Sequence, residues 1–170
     1  MGFTVYYQST APVSDNVVSA IADSLDELCV GRTWLSCEPV GFFGGNNEDF
    51  LIGGSKPNFD PRPEDIADAR AEGLPDGTLR DVVQILCKLS SQFGVDWQFS
   101  HDHDPGPIGF IRDGIPDAEL ENQIVGIMSL HSIEGSSHEY DTGNESTNAD
   151  NGSDDDDDGP RILKFGPIDH

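Results

Sequence analysis

The side chains best suited to chemistry gather in one stretch, Asp96 to Ile111, which holds Trp97, Phe99, two histidines and three aspartates around the rigid Pro105-Gly106-Pro107. Alternate residues of an extended chain share a face. Trp97, Phe99, His101 and His103 are therefore expected on the core side, and Gln98, Ser100, Asp102 and Asp104 on the other. His-x-His on a strand is a metal-ligand spacing, and Glu38 or Asp104 could add a carboxylate where the strand breaks into the proline turn. Zinc or a similar divalent ion held by His101, His103, Glu38 and Asp104 would make a small metal-assisted hydrolase. Local spacing fixes only two of those ligands. The plainer expectation is that these side chains shape a turn through hydrogen bonds, and that His101, Asp102, His103 and Asp104 form a polar tip for contacting a partner.

Other chemistry has less support. Cys37, between Ser36 and Glu38, sits in no recognisable nucleophile motif and reads as a strand cysteine. Gly53-Gly54-Ser55-Lys56 lacks the spacing of a phosphate loop, and Pro57 follows where a helix would have to start. The run Asp154 to Asp158 lacks the fixed turn and bidentate ligand of a calcium loop and reads as a solvated linker.

Charge narrows the partners. The 170 residues carry 32 acidic and 9 basic side chains, net −23. Before Ser136 the balance is 7 − 22 = −15, and from Ser136 onward it is 2 − 10 = −8. That field repels nucleic acid and anionic membrane surfaces and suits a basic protein. Cys29, Cys37 and Cys87 are odd in number and lack metal spacing, which fits free thiols in a reducing compartment. With no export or lipid-anchor signal read at Met1 to Tyr6 and no long apolar run, a cytoplasmic location is expected.

Regular elements must position the tip. Alternation predicts a strand over residues 2 to 9. Val17, Val18, Ile21, Leu25 and Leu28 then recur at helical spacing between Ser14 and Gly31. The β-branched and aromatic stretch 33 to 43 and Phe50-Leu51-Ile52 read as two strands, followed by a Gly- and Pro-rich loop over 53 to 63. A short surface helix should start at Pro63 and end at Gly73. A capping box at Thr78 should open a core helix that stops at Gly94. Strands near 95 to 101 and 107 to 112 and a helix from about 116 to 130 complete the set.

These elements predict one α+β domain over residues 1 to 135, a two-layer sandwich with an antiparallel sheet of about five strands and helices on one face, ferredoxin-like in topology. Residues 136 to 159 are too polar to support a core and read as a disordered acidic linker, and 160 to 170 as a short apolar segment suited to docking or to a linear motif. The functional expectation is a small acidic binding protein without catalysis, of the inhibitor or immunity type.

Overall fold

The computed structural model describes residues 3 to 43 and 50 to 134. The expected linker at 136 to 159 and the segment 160 to 170 lie outside the described residues. The elements follow in the order β1 (Val5–Ser9), α1 (Asp15–Cys29), β2 (Phe42–Phe43), β3 (Ile52–Ser55), α2 (Pro63–Glu72), α3 (Leu79–Phe93), β4 (Trp97–His101), β5 (Asp104–Arg112), β6 (Ile115–Pro116) and α4 (Ala118–Glu134). The α+β class holds. The sheet has six strands rather than five, in the order β2-β3-β1-β4-β5-β6, and every ladder is antiparallel. From β1 to β4 the chain follows a β-α-β-β-α-β succession, with α2 inserted before α3. The strands β5 and β6 and the helix α4 are additions to it.

Register explains which face is covered. Tyr7 pairs with Gly53 on one side and Phe99 on the other, and Trp97 pairs with Ser9 and Ile111. Val5, Tyr7, Ser9, Trp97, Phe99 and Ile111 thus share one face, and all are buried. Helices α3 and α4 lie against it: Trp97 Nε1 donates to Leu86 O of α3 at 3.1 Å. Leu120 of α4 crosses Gly109 so closely that a Cβ there would come within 2.7 Å of Leu120 N and Cα. The helix α3 earns its place by pattern, since Leu79, Val82, Val83, Leu86 and Leu89 are all buried along its inner side. Its ends are those expected: Thr78 and Asp81 form the capping box, and Gly94 closes it in the left-handed region.

Three elements differ from the expectation, each for a local reason. The strand expected over 33 to 43 shrinks to Phe42–Phe43 and an isolated bridge between Cys37 and Pro57. Asp76 takes the amides of Leu35 and Ser36 at 2.7 and 3.2 Å, Trp34 turns to φ +46°, and Pro39 has no N–H to give. The loop expected from Gly53 is instead strand β3, because Tyr7 needs the space that glycine leaves. A Cβ on Gly53 would stand 2.2 Å from Gly41 O and 2.4 Å from the Tyr7 ring. Finally, Pro105-Gly106-Pro107 is not the hairpin turn. It belongs to β5, in a register shift that sets five residue steps on β5 (Asp104 to Gly109) against two on β4 (Phe99 to His101). Prolines that cannot donate to a ladder fit such a bulge. The turn itself is Asp102-His103, since His101 pairs directly with Asp104.

Candidate functional site

Because the turn is only two residues long, the polar tip is compact and close to the root of β1. Phe3, just before β1, is the organising side chain. Its ring centroid lies 5.3 Å from that of His101 and 5.6 Å from that of His103, stacked on the latter, and the two imidazoles are 6.2 Å apart. The backbone N–H of His103 donates to His101 Nδ1 at 3.1 Å, which fixes that nitrogen as an acceptor. The histidines are thus gathered by an aromatic ring and a turn hydrogen bond. The alternation argument put His101 on the core side correctly, as its pairing with Val5 requires, but His103 stands beyond the strand end.

Asp102 faces the other way. Its carboxylate accepts the N–H of Thr4 at 2.8 Å. The Tyr6 hydroxyl, followed by the Thr4 hydrogen bonds and the charge of His103, holds its pKa below the usual carboxylate value. Asp102 therefore stays ionised at neutral pH while fastening the hairpin tip to the start of β1.

The proposed ligand set is only partly brought together. Asp104 contributes its backbone to the His101 pairing, and its side chain lies outside the description. Glu38 is elsewhere: Ser55 Oγ of β3 donates to Glu38 O at 2.6 Å, and its carboxylate takes the Lys56 N–H at 3.3 Å. The strand β1 runs between β3 and β4, so Glu38 and His101 are separated by its full width. Among the described residues no group of three or more His, Cys, Asp or Glu side chains is placed to hold a metal ion.

The remaining reactive types are structural in setting. Cys37 is 1% exposed, its thiol directed to Gly77 O at 3.5 Å, and burial pushes its pKa up to about 12. A thiol protonated to that pH is a poor nucleophile. Tyr7 is fully buried and its hydroxyl is shared among Gly41 N–H, Gly41 O and Gly54 O, with burial raising its pKa strongly. Gly53-Gly54-Ser55 lies flat in a strand and forms no loop around a phosphate.

Phe3, Thr4 and Tyr6 went unnoticed as site residues in the sequence. Their alternation marks a strand, but only the β1–β4 register, Val5 to His101 and Tyr6 to Ser100, places them at the tip. No helix among the described residues is long and apolar enough to cross a membrane. Comparison with family models, characterised proteins and solved structures finds no match.

Proposed function

We propose that this chain is an acidic binding protein that engages a basic protein partner through the β4–β5 tip, His101, Asp102, His103 and Asp104, in the manner of an inhibitor or immunity protein, without catalysis of its own. The observation that carries this reading is the uncompensated charge of the folded domain. Among the described residues, the ion pairs formed by Lys and Arg join Arg32 to Asp81 and Arg62 to Glu64 and Asp65. With 22 acidic against 7 basic side chains before Ser136, most carboxylates of that part have no cation to neutralise them, and their field reaches solvent. A tip rooted by the buried Trp97 and Phe99 and braced by Asp102 presents its polar groups on a rigid support.

The test is a titration of the full chain with lysozyme-like basic proteins and Lys-rich peptides across 50 to 500 mM salt, an experimental range of roughly threefold in Debye length around ~8 Å at physiological strength. Capture should weaken steeply as salt rises, and Asp102→Ala should reduce it more than His101→Ala. Binding that ignores salt would exclude the reading. Stoichiometric zinc in the purified chain, lost in both His101→Ala and His103→Ala, would replace it with the metal-assisted alternative.

A further inference from the structure

Helices α3 and α4 touch each other as well as the sheet, and a groove runs along their seam. At one end Thr78 and Leu79 of α3 and Ile127 and Met128 of α4 line a cavity of about 190 Å³. Further along lies a larger one of about 420 Å³, whose floor is Val83 and Cys87 of α3, Ile124 of α4 and Pro116 of β6. Because the start of α3 faces the later turns of α4 in the first cavity, and the earlier turns of α4 line the second, the helices run antiparallel along the groove. The larger cavity falls within the ~300–1,000 Å³ usual for small-ligand pockets. Val125, 49% exposed, carries its apolar lining out to the surface.

The rim holds one charge of each sign, Arg80 and Glu121, both exposed. Among the described residues the ion pairs of Lys and Arg use Arg32 and Arg62, so Arg80 is without a carboxylate partner and Glu121 without a cation. In a domain with 22 acidic against 7 basic side chains before Ser136, an arginine left unpaired is the less expected of the two. Glu121 lies toward Cys87, whose pKa is raised by burial and then by the Glu121 charge. Arg80 stands seven residues back along α3, about 10 Å at ~1.5 Å per residue. Direct pairing across that gap is out of reach, and a ligand charged at both ends would bridge it.

An extended peptide rises ~3.3 Å per residue, so three residues span the same distance. Its first and third side chains point the same way and, if apolar, face the floor together. Gln84, one helical turn beyond Arg80 on the same stripe of the rim, offers a carboxamide that both donates and accepts, as a peptide bond requires.

We propose that the α3–α4 groove binds a short apolar peptide with free termini, its carboxylate at Arg80, its N-terminal ammonium at Glu121 and its alternate side chains on Val83, Cys87, Pro116 and Ile124. The site makes no use of the β4–β5 tip, so it stands or falls independently of the basic-partner reading. Both charges sit in solvent, and each therefore contributes severalfold, not orders of magnitude, to affinity. Burial of the peptide's apolar side chains supplies the rest.

The probe is the tripeptide Leu-Ala-Leu, titrated into the isotope-labelled full chain at low salt beside its N-acetylated and C-amidated forms and triglycine. Backbone amide shifts should concentrate at Gln84, Cys87, Ile124 and Val125. Capping either terminus should weaken binding severalfold. Arg80→Gln should cancel the difference between free and amidated peptide, and Glu121→Gln the difference between free and acetylated peptide. A general loss of structure would not produce that pairing, and circular dichroism checks that each variant keeps its fold. Bound peptide should also slow iodoacetamide labelling of Cys87 while leaving that of Cys29 unchanged. Shifts that map to other surfaces, capped peptides that bind as well as the free one, or no binding up to millimolar concentration would each overturn the proposal. Triglycine binding as tightly as Leu-Ala-Leu would do the same, since the apolar floor would then contribute nothing.

Discussion

Thr4 and Asp102 are 98 positions apart in the chain and joined by a 2.8 Å hydrogen bond from backbone N–H to carboxylate, which ties the entrance of β1 to the tip of the β4–β5 hairpin. Its pH behaviour follows from the sign of the shift. A carboxylate held below its ordinary pKa stabilises the fold at neutral pH and loses that contribution as pH falls through the lowered value. Asp102→Asn should remove this acid sensitivity locally. Amide exchange at Thr4 should become faster in the variant at neutral pH, and it should accelerate in the parent chain only under acid. Equal exchange in both at neutral pH would mean that the contact holds nothing in place.

Asp81 should be costly to remove. Burial pushes its pKa up, but hydrogen bonds from the Thr78 side chain and backbone, with Arg32 at 2.8 Å, outweigh burial and leave it lowered. Asp81→Ala takes away the capping box of α3 and strands Arg32, for an expected loss of about 1–2 kcal/mol in urea unfolding at pH 7. Because the shift is downward, the difference between parent and variant should shrink as pH falls below the carboxylate range.

Cys37 gives the opposite sign. Its folded pKa of about 12 lies above the unfolded thiol value. The stability linked to it is complete below ~8.5, the ordinary pKa, and is lost as pH rises toward the folded value. Alkaline unfolding should therefore be shallower in Cys37→Ala than in the parent chain. Iodoacetamide at mildly alkaline pH should label the half-buried Cys29 and Cys87 and spare Cys37 until urea unfolds the domain.

Gly109 should tolerate no side chain. Its φ of +150° and a Cβ position 2.5 Å from Leu120 Cβ leave alanine nowhere to go unless α4 shifts. Gly109→Ala should cost on the order of 1–3 kcal/mol, read as a lower urea midpoint. A Gly41→Ala control, with open space around it, should stay close to the parent.

The long elements were legible because each carried its own period and punctuation. In α3 the Thr78 box, the buried stripe and Gly94 all agreed, and β1 and β4 alternated cleanly. The continuation of β3 past Ile52 was not legible, because Gly53 and Gly54 read as loop residues until Tyr7, 46 positions upstream, is seen to occupy the space above Gly53. The Pro105-Gly106-Pro107 trio misled in the same way, since a bulge and a turn draw on the same residue types. One local signal was passed over. Asp113 and Gly114, with φ of +51° and +77°, form the Asp-Gly turn that joins β5 to β6. At the candidate site the paired histidines and Asp102 were readable, whereas Phe3, Thr4 and Tyr6 depend on long-range register that no local pattern encodes.

The sheet's outermost strands also decide how copies of the domain can meet. β2 and β6 are two residues each, and β6 contains Pro116, which has no N–H to offer an incoming strand. Although Ile115 is 70% exposed at one margin and Phe43 55% at the other, neither β2 nor β6, over the described residues, presents a ladder long enough to template a further strand. Cross-β growth from the folded state is thereby hindered at β2 and β6.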